Sequence, residues 1–272
     1  PITNKYLDDQ FFLYLYGQSS SRKQINAILN TTKKNTLFLN QSLVELAQAE
    51  KLAGFLPYAQ AIQYFNDRLP LPMDIIEQLT TDLRARAFWM SRASSYRIVI
   101  RMQELIQQAI EEGYSPQKFI EINRAELSGR LGFDIENPWY LNTVYRTNVA
   151  TAYQAGQWQQ INEPATKESL PFWQYVSVMD DRTTPICIEL AGKVYPADSE
   201  VWSRIYPPNH FNCRSTVTAI NREIIRDEGL KVSKEMPKDI APSEGFDTNN
   251  AVNYLTTLPV FSFNVPAEWG VR

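Results

Sequence analysis

The reading of this chain turns on one stretch: Asp180-Asp181-Arg182-Thr183-Thr184-Pro185-Ile186-Cys187, then Leu190-Ala191-Gly192, then Tyr206-Pro207-Pro208-Asn209-His210-Phe211-Asn212-Cys213-Arg214-Ser215. It punctuates short segments of opposite preference. Just before it, Phe172 to Met179 is rich in aromatic and β-branched residues, as a strand is, and Asp180-Asp181 closes that strand with a turn. Pro185 to Ala191 has room for two helical turns before Gly192, and Lys193 to Tyr195 returns as a strand. Arg214 to Ile220 supplies another strand, with Val217 and Thr218 at its centre. Strands this short, separated by a small helix, predict an α+β module.

Upstream the pattern is helical. Asn137-Pro138 is a start signal for a helix running to Gly156, with Leu141, Tyr145, Asn148 or Val149, and Ala152 along one side. Asp74 to about Ser91 and Tyr96 to about Glu112 read as two long helices or one kinked helix. Gly113 is placed to end it, and Ser115-Pro116 opens the next. From Gln41, Leu43, Leu46, Ala49 and Ala53 recur at three- and four-residue spacing, whereas the first forty residues keep no period. The division predicted is an extended arm over 1–40, a helical region over 41–130, the α+β module over 131–220 and a wrapping tail over 221–272. The tail carries Pro237, Pro242, Pro259 and Pro266.

Bulk composition prunes the functions. Of the 272 residues, 44% are hydrophobic and 21% charged, the balance of an ordinary globular protein. No run reaches the roughly 20 apolar residues that span a bilayer, so no membrane contact is expected. Phe11 to Tyr16 follows two aspartates and lacks a small-residue cleavage site, so it does not read as a signal peptide. The numbering opens on Pro1 and not Met, after processing or an unseen start. A net charge of −3 argues against a protein whose whole surface coats nucleic acid. With only two cysteines and one histidine, neither a disulfide scaffold nor a mechanism needing two imidazoles is available.

The ordered words from Asp180 to Ser215, together with Arg146-Thr147 upstream and Gly245-Phe246 after Pro242, resemble the phage Mu F-like minor head protein family. The resemblance spans roughly residues 105–250. It implies a minor capsid component of a tailed bacteriophage, made in the host cytoplasm and built into the head in few copies. Its implied partners are the portal protein, other head proteins and packaged DNA. It also implies a motif set of Arg146, Thr147, Asp180, Arg182, Thr183, Cys187, Gly192, Pro208, His210, Cys213 and Arg214. Many members carry Cys-Pro-x-Cys where this chain has Thr184-Pro185-Ile186-Cys187. Toxin domains in the wider family are appended beyond this module, and a chain ending at Arg272 leaves little room for one.

Three readings of Cys187, His210 and Cys213 stand open. The Pro-Pro pair gives a stiff approach to a tight His-x-x-Cys corner, so the first is a buried thiol pair, free or oxidised. Oxidised after release from the cell, it would close a loop of about 26 residues, worth on the order of 3 kcal/mol. The second is zinc, for which His-x-x-Cys has chelating reach; the fourth ligand position holds Thr184, with Asp180 as a substitute. No other cofactor is expected. The third is a nuclease or hydrolase with His210 as general base, Arg214 as anion stabiliser and Ser215 or Thr216 as hydroxyl partner. No acid-base group or glutamate cluster stands beside His210 to support it, so no enzyme is expected.

Two arginine features complete the reading. Arg146, Ala150 and Tyr153 share a helix face that should meet the motif, where Arg146 would pair with Asp180 or Asp181, or face a ligand anion. Between Leu83 and Gln103 lie five arginines and no acid. If the helix is continuous, Arg86, Arg97 and Arg101 cluster on one side. That side is either a solvated face or a contact for DNA or an acidic portal surface, and the DNA alternative would make the chain an ejection protein.

Overall fold

The computed structural model describes residues 59–246, apart from 80–83, 85–86, 92 and 94. The predicted arm, the pattern from Gln41 to Ala53, Arg86 and the tail beyond 246 lie outside the described residues. Within them the fold is α+β. Helices α1 (Ala59–Asn66), α2 (Met73–Ile76), α3 (Tyr96–Glu111) and α4 (Pro116–Ile122) come first, with short strands β1 (Leu69–Pro70) and β2 (Ala87–Phe88) between them. A π-helical turn over Glu126–Arg130 leads to the long helix α5 (Trp139–Ile161). Then follow α6 (Pro164–Ser169), β3 (Phe172–Ser177), α7 (Pro185–Leu190), β4 (Val194–Pro196), α8 (Trp202–Ile205), β5 (Ser215–Ile220) and α9 (Arg222–Asp227).

Helix α5 carries the predicted buried residues Leu141, Tyr145, Asn148, Val149 and Ala152, but its burial is not confined to one side. Thr143, Ala150, Thr151, Gln154, Ala155 and Gln157 are buried as well. The reason is that α1, α3 and α4 pack on α5 while its glutamines reach the sheet. Phe119 of α4 stacks on Tyr145 at 4.7 Å between ring centroids. Gly113, at φ +64, ends α3 in a Schellman turn: Tyr114 N–H donates to the Ala109 carbonyl and Gly113 N–H to that of Ile110. The Ser115 hydroxyl accepts from Lys118 N–H and caps α4, as its sequence signal predicts.

The predicted long helix from Asp74 to about Ser91 does not form. α2 ends at Ile76, residues 77–79 turn, and Ala87–Phe88 pairs in parallel with Leu69–Pro70. The carbonyls needed for helix are used elsewhere: Phe88 O accepts from Leu71 N–H and Ala87 O from the Arg68 guanidinium. Phe88 is fully buried edge-on against Phe65. Because β2 and the described residues between it and α3 are non-helical, the continuous helix that would have aligned Arg97 and Arg101 with the residues before β2 is not formed.

The sheet has the order β4-β3-β5, with β3 antiparallel to both neighbours. Trp173 and Tyr175 alternate inward from β3, and Trp173 joins Trp158, Trp202 and Tyr206 in an aromatic cluster. Both outer edges are covered. On β5, Gln157 donates to the Val217 carbonyl at 2.7 Å, and Gln154 and Gln157 both bond the Thr216 hydroxyl. On β4, Val232 bridges to Val194 and Ser233 N–H donates to the Val194 carbonyl. No described helix is long and apolar enough to cross a membrane.

Arg68 is a buried cation met by neutral groups: Nη1 donates to Asn148 Oδ1 at 2.8 Å, and the guanidinium lies 5.8 Å from the Tyr64 ring centroid. Burial pulls its pKa down, partly offset by Tyr64. Arg68→Ala strands the Asn148 and Ala87 acceptors inside the α1–α5 contact and is expected to cost about 2–4 kcal/mol, read as a lower denaturant midpoint at unchanged slope.

Candidate functional site

The turn after β3 is built by its own side chains. The Thr183 hydroxyl donates to the Val178 carbonyl at 2.6 Å and accepts from Asp180 N–H, while Arg182 N–H donates to Asp180 Oδ1. That leaves the Asp180 carboxylate facing the start of β5, where Arg214 takes both oxygens in a fork at 2.5 and 2.7 Å. Arg182 adds a third contact at 3.3 Å. Arg214, backed by burial-opposed but dominant hydrogen bonding, holds Asp180 well below the usual carboxylate range. Of the two carboxylates expected as partners for Arg146, Asp180 or Asp181, Asp180 is held by Arg214 and Arg182. Arg146 lies half-buried on α5, one residue from the face that meets the motif.

That face is formed by Thr143 and Thr147, one helical turn apart. Asn212 donates its side-chain amide to Thr143 Oγ1 at 3.0 Å and its backbone N–H to Thr147 Oγ1 at 3.3 Å. Asn212 sits at φ +57, a left-handed position that Asn tolerates better than most residues. The turn closes with Cys213 N–H donating to the His210 carbonyl. Pro207-Pro208 is a cis peptide on a buried approach to this corner. Gly192, at φ +78, ends α7 and donates its N–H to Tyr175 O.

Cys187, His210 and Cys213 meet where α7 touches this corner. Cys187 Sγ is 3.2 Å from His210 Nε2 and 3.9 Å from Cys213 Sγ, and both thiols are buried and not joined by a disulfide. His210 Nδ1 lies 2.8 Å from the Phe211 carbonyl, which only accepts, so Nδ1 carries a proton. Thr184, the N-cap of α7, makes no capping bond; its hydroxyl lies 2.9 Å from His210 Nε2 instead. Asn209, fully buried, donates to the Tyr175 hydroxyl at 2.8 Å, which frees the phenol proton for Cys187 Sγ at 3.4 Å. Hydrogen bonds from Cys213, His210, Ser215 and Tyr175 lower the Cys187 thiol despite burial, while burial raises Cys213. Burial alone would lower His210, but its bonds to Cys187 and Phe211 outweigh it and the net shift is upward.

The hydrolase constellation is not assembled. Arg214 is engaged by Asp180, Ser215 bonds Ser177 at 2.9 Å, and Thr216 is turned to the glutamines of α5. Neither hydroxyl is exposed. Arg101 is likewise engaged, in a fork on Glu126 and a bond to Glu104, whereas Arg97 is exposed. Sequence reasoning missed Tyr175, Asn209, Thr143 and Gln154. Asn209 and Asn212 stand in the quoted stretch, and their flanking of His210 was the available signal.

With this corner in view, comparison with known proteins is direct. The family described as Phage Mu protein F like protein matches residues 101–218, which run from within α3 through most of β5 and contain every residue of the corner. The chain belongs to the phage Mu F-like family. It is 31% identical over 210 residues to a protein of Escherichia phage Mu named "Putative capsid assembly protein F", covering 71% of this chain and 46% of that one. It is 32% identical over 197 residues to the Mu-like prophage FluMu F protein of Haemophilus influenzae, covering 67% and 46%. This Mu F-like chain thus spans about half the length of the curated relatives it matches. No solved structure matches it.

The Asp180–Arg214 fork sets a pH signature. A depressed folded pKa stabilises the fold above the unfolded value and is lost as pH falls through the folded one. Asp180→Asn is therefore expected to cost about 1–3 kcal/mol at neutral pH, with the difference from wild type shrinking below about pH 4. Denaturant unfolding across that range checks it; a difference independent of pH contradicts the ionised pair.

Proposed function

We propose that this chain is a head morphogenesis protein of a tailed bacteriophage, a minor capsid component that acts by binding and not by catalysis. It would be made in the host cytoplasm and retained in the virion, with the portal protein and other head proteins as its partners. The observation that carries this reading is its similarity to a protein named for capsid assembly, across the segment that builds the whole corner. The corner's chemistry supports it. Asp180 and Arg214 bond one another, the Ser215 and Thr216 hydroxyls are buried, and the strongest contacts tie one backbone turn to another.

A protein partner is supported over DNA by the arginines and by net charge. Arg101 is held by Glu126, which leaves Arg97 as the exposed described member of the predicted patch, and the chain carries −3 overall. Trp139 is 65% exposed at the start of α5, beside a groove of about 420 Å³ that Leu131, Phe133 and Tyr140 help to line. An exposed tryptophan in a groove that mixes apolar side chains with Asp134 and Asn137 suits a protein surface better than a phosphate backbone.

Co-expression with the portal and major capsid proteins of its own phage, followed by sedimentation of assembled heads, tests the proposal. The chain should co-sediment with heads containing portal, and Trp139→Ala should reduce its share severalfold without unfolding it. Absence from heads, with salt-dependent binding to duplex DNA, would contradict the reading in favour of a DNA-binding ejection protein.

A further inference from the structure

We propose that Cys187, His210 and Cys213 bind a zinc ion, which pins helix α7 to the corner that precedes β5. The three donor atoms lie within 4.8 Å of one another. The spacing fits two ligands of one metal ion. The sulfurs stand 3.9 Å apart, where a disulfide needs about 2.05 Å and two thiolates on a tetrahedral zinc at about 2.3 Å from the metal stand about 3.8 Å apart. The thiolate-to-imidazole separation on such an ion is about 3.5 Å, against 3.2 Å here, so His210 and Cys187 part by a few tenths of an ångström as the ion enters.

The surroundings of each donor suit ligation. His210 gives its Nδ1 proton to the Phe211 carbonyl, which turns the Nε2 lone pair towards the sulfurs, the arrangement that orients metal-bound imidazoles. Cys213 Sγ accepts backbone N–H bonds from Asn209 and Ser215, and Cys187 Sγ is met by the Tyr175 phenol, itself fixed by buried Asn209. Donors converging on sulfur stabilise thiolates. Charge balances as well: each thiol releases its proton to solvent, and two thiolates with a neutral imidazole make an uncharged centre around a divalent ion. Thiolate and imidazole donors in this combination select zinc over the hard cations that prefer carboxylates.

The fourth position is not Asp180, whose oxygens Arg214 holds. It is a water beside Thr184. The Thr184 hydroxyl, withheld from its helix cap and 2.9 Å from Nε2, is placed to hold that water once the imidazole lone pair turns to the ion.

The test is metal analysis of the untagged chain purified under reductant, followed by cobalt(II) titration of the zinc-stripped chain. One zinc per chain is expected, together with a cobalt spectrum showing sulfur-to-metal charge transfer and the intense visible bands of tetrahedral coordination. Cys187→Ser, Cys213→Ser and His210→Gln should each lose stoichiometric zinc, and Lys118→Ala, an exposed position on α4 away from the corner, should keep it. Because a ligand variant can fail through misfolding, the cobalt spectrum of the wild-type chain reads the thiolate ligands directly. Substoichiometric zinc, with two free thiols and no charge-transfer band on cobalt addition, overturns the proposal. So does a reducible Cys187–Cys213 crosslink in a metal-free chain.

Discussion

The corner depends on a single carboxylate. Asp180 opens a turn that organises itself through Thr183 and Arg182, and its fork to Arg214 joins that turn to the residue just before β5. Everything distinctive in the site follows from this closure. Cys187, three residues into α7, and Cys213, next to Arg214, come to 3.9 Å because the two segments that carry them are clamped at Asp180. A bidentate guanidinium fixes orientation as well as distance, which a lysine at Arg214 would not.

The second constraint is α5, which is buried between a helical layer and a sheet and has to satisfy both. Towards the helices it offers apolar surface and Asn148, which accepts from buried Arg68. Towards the sheet it offers Gln154 and Gln157, whose amides substitute for the neighbouring strand that β5 lacks. Its threonines, Thr143 and Thr147, receive the His210–Cys213 turn. One helix thus seals a sheet edge and seats the candidate site. The apolar cluster runs without a break from Ala61 to Ala219, so the site rests on the whole described body and not on the small sheet alone.

Much of this was legible in the residues. The α+β class, the start of α5 at Pro138, the Gly113 and Ser115 signals and all three sheet strands follow from local chemistry that the tertiary fold leaves intact. The segment from Asp74 to Ser91 misleads because its spacing permits a helix while Phe88 is drawn into the core and its carbonyl is taken by Leu71. The fork on Asp180 was harder to read: helical spacing offered Arg146 as a partner for Asp180 or Asp181, whereas the guanidinium that takes both Asp180 oxygens is Arg214, 34 residues further along the chain. Tyr175 and Asn209 could not be read as a pair at all, since 34 residues separate a strand residue from a loop amide that only the closed corner brings together.

The central claim is that the Mu F-like motif residues form a clamp that positions backbone, so their worth is mutual. A double-mutant cycle on Asp180→Ala and Arg214→Ala, read by denaturant unfolding at neutral pH, measures that directly. The account predicts a coupling energy of about 1 kcal/mol or more, the double variant being less destabilised than the sum of the two single ones. Additivity to within about 0.3 kcal/mol would contradict it and show that the two residues act independently.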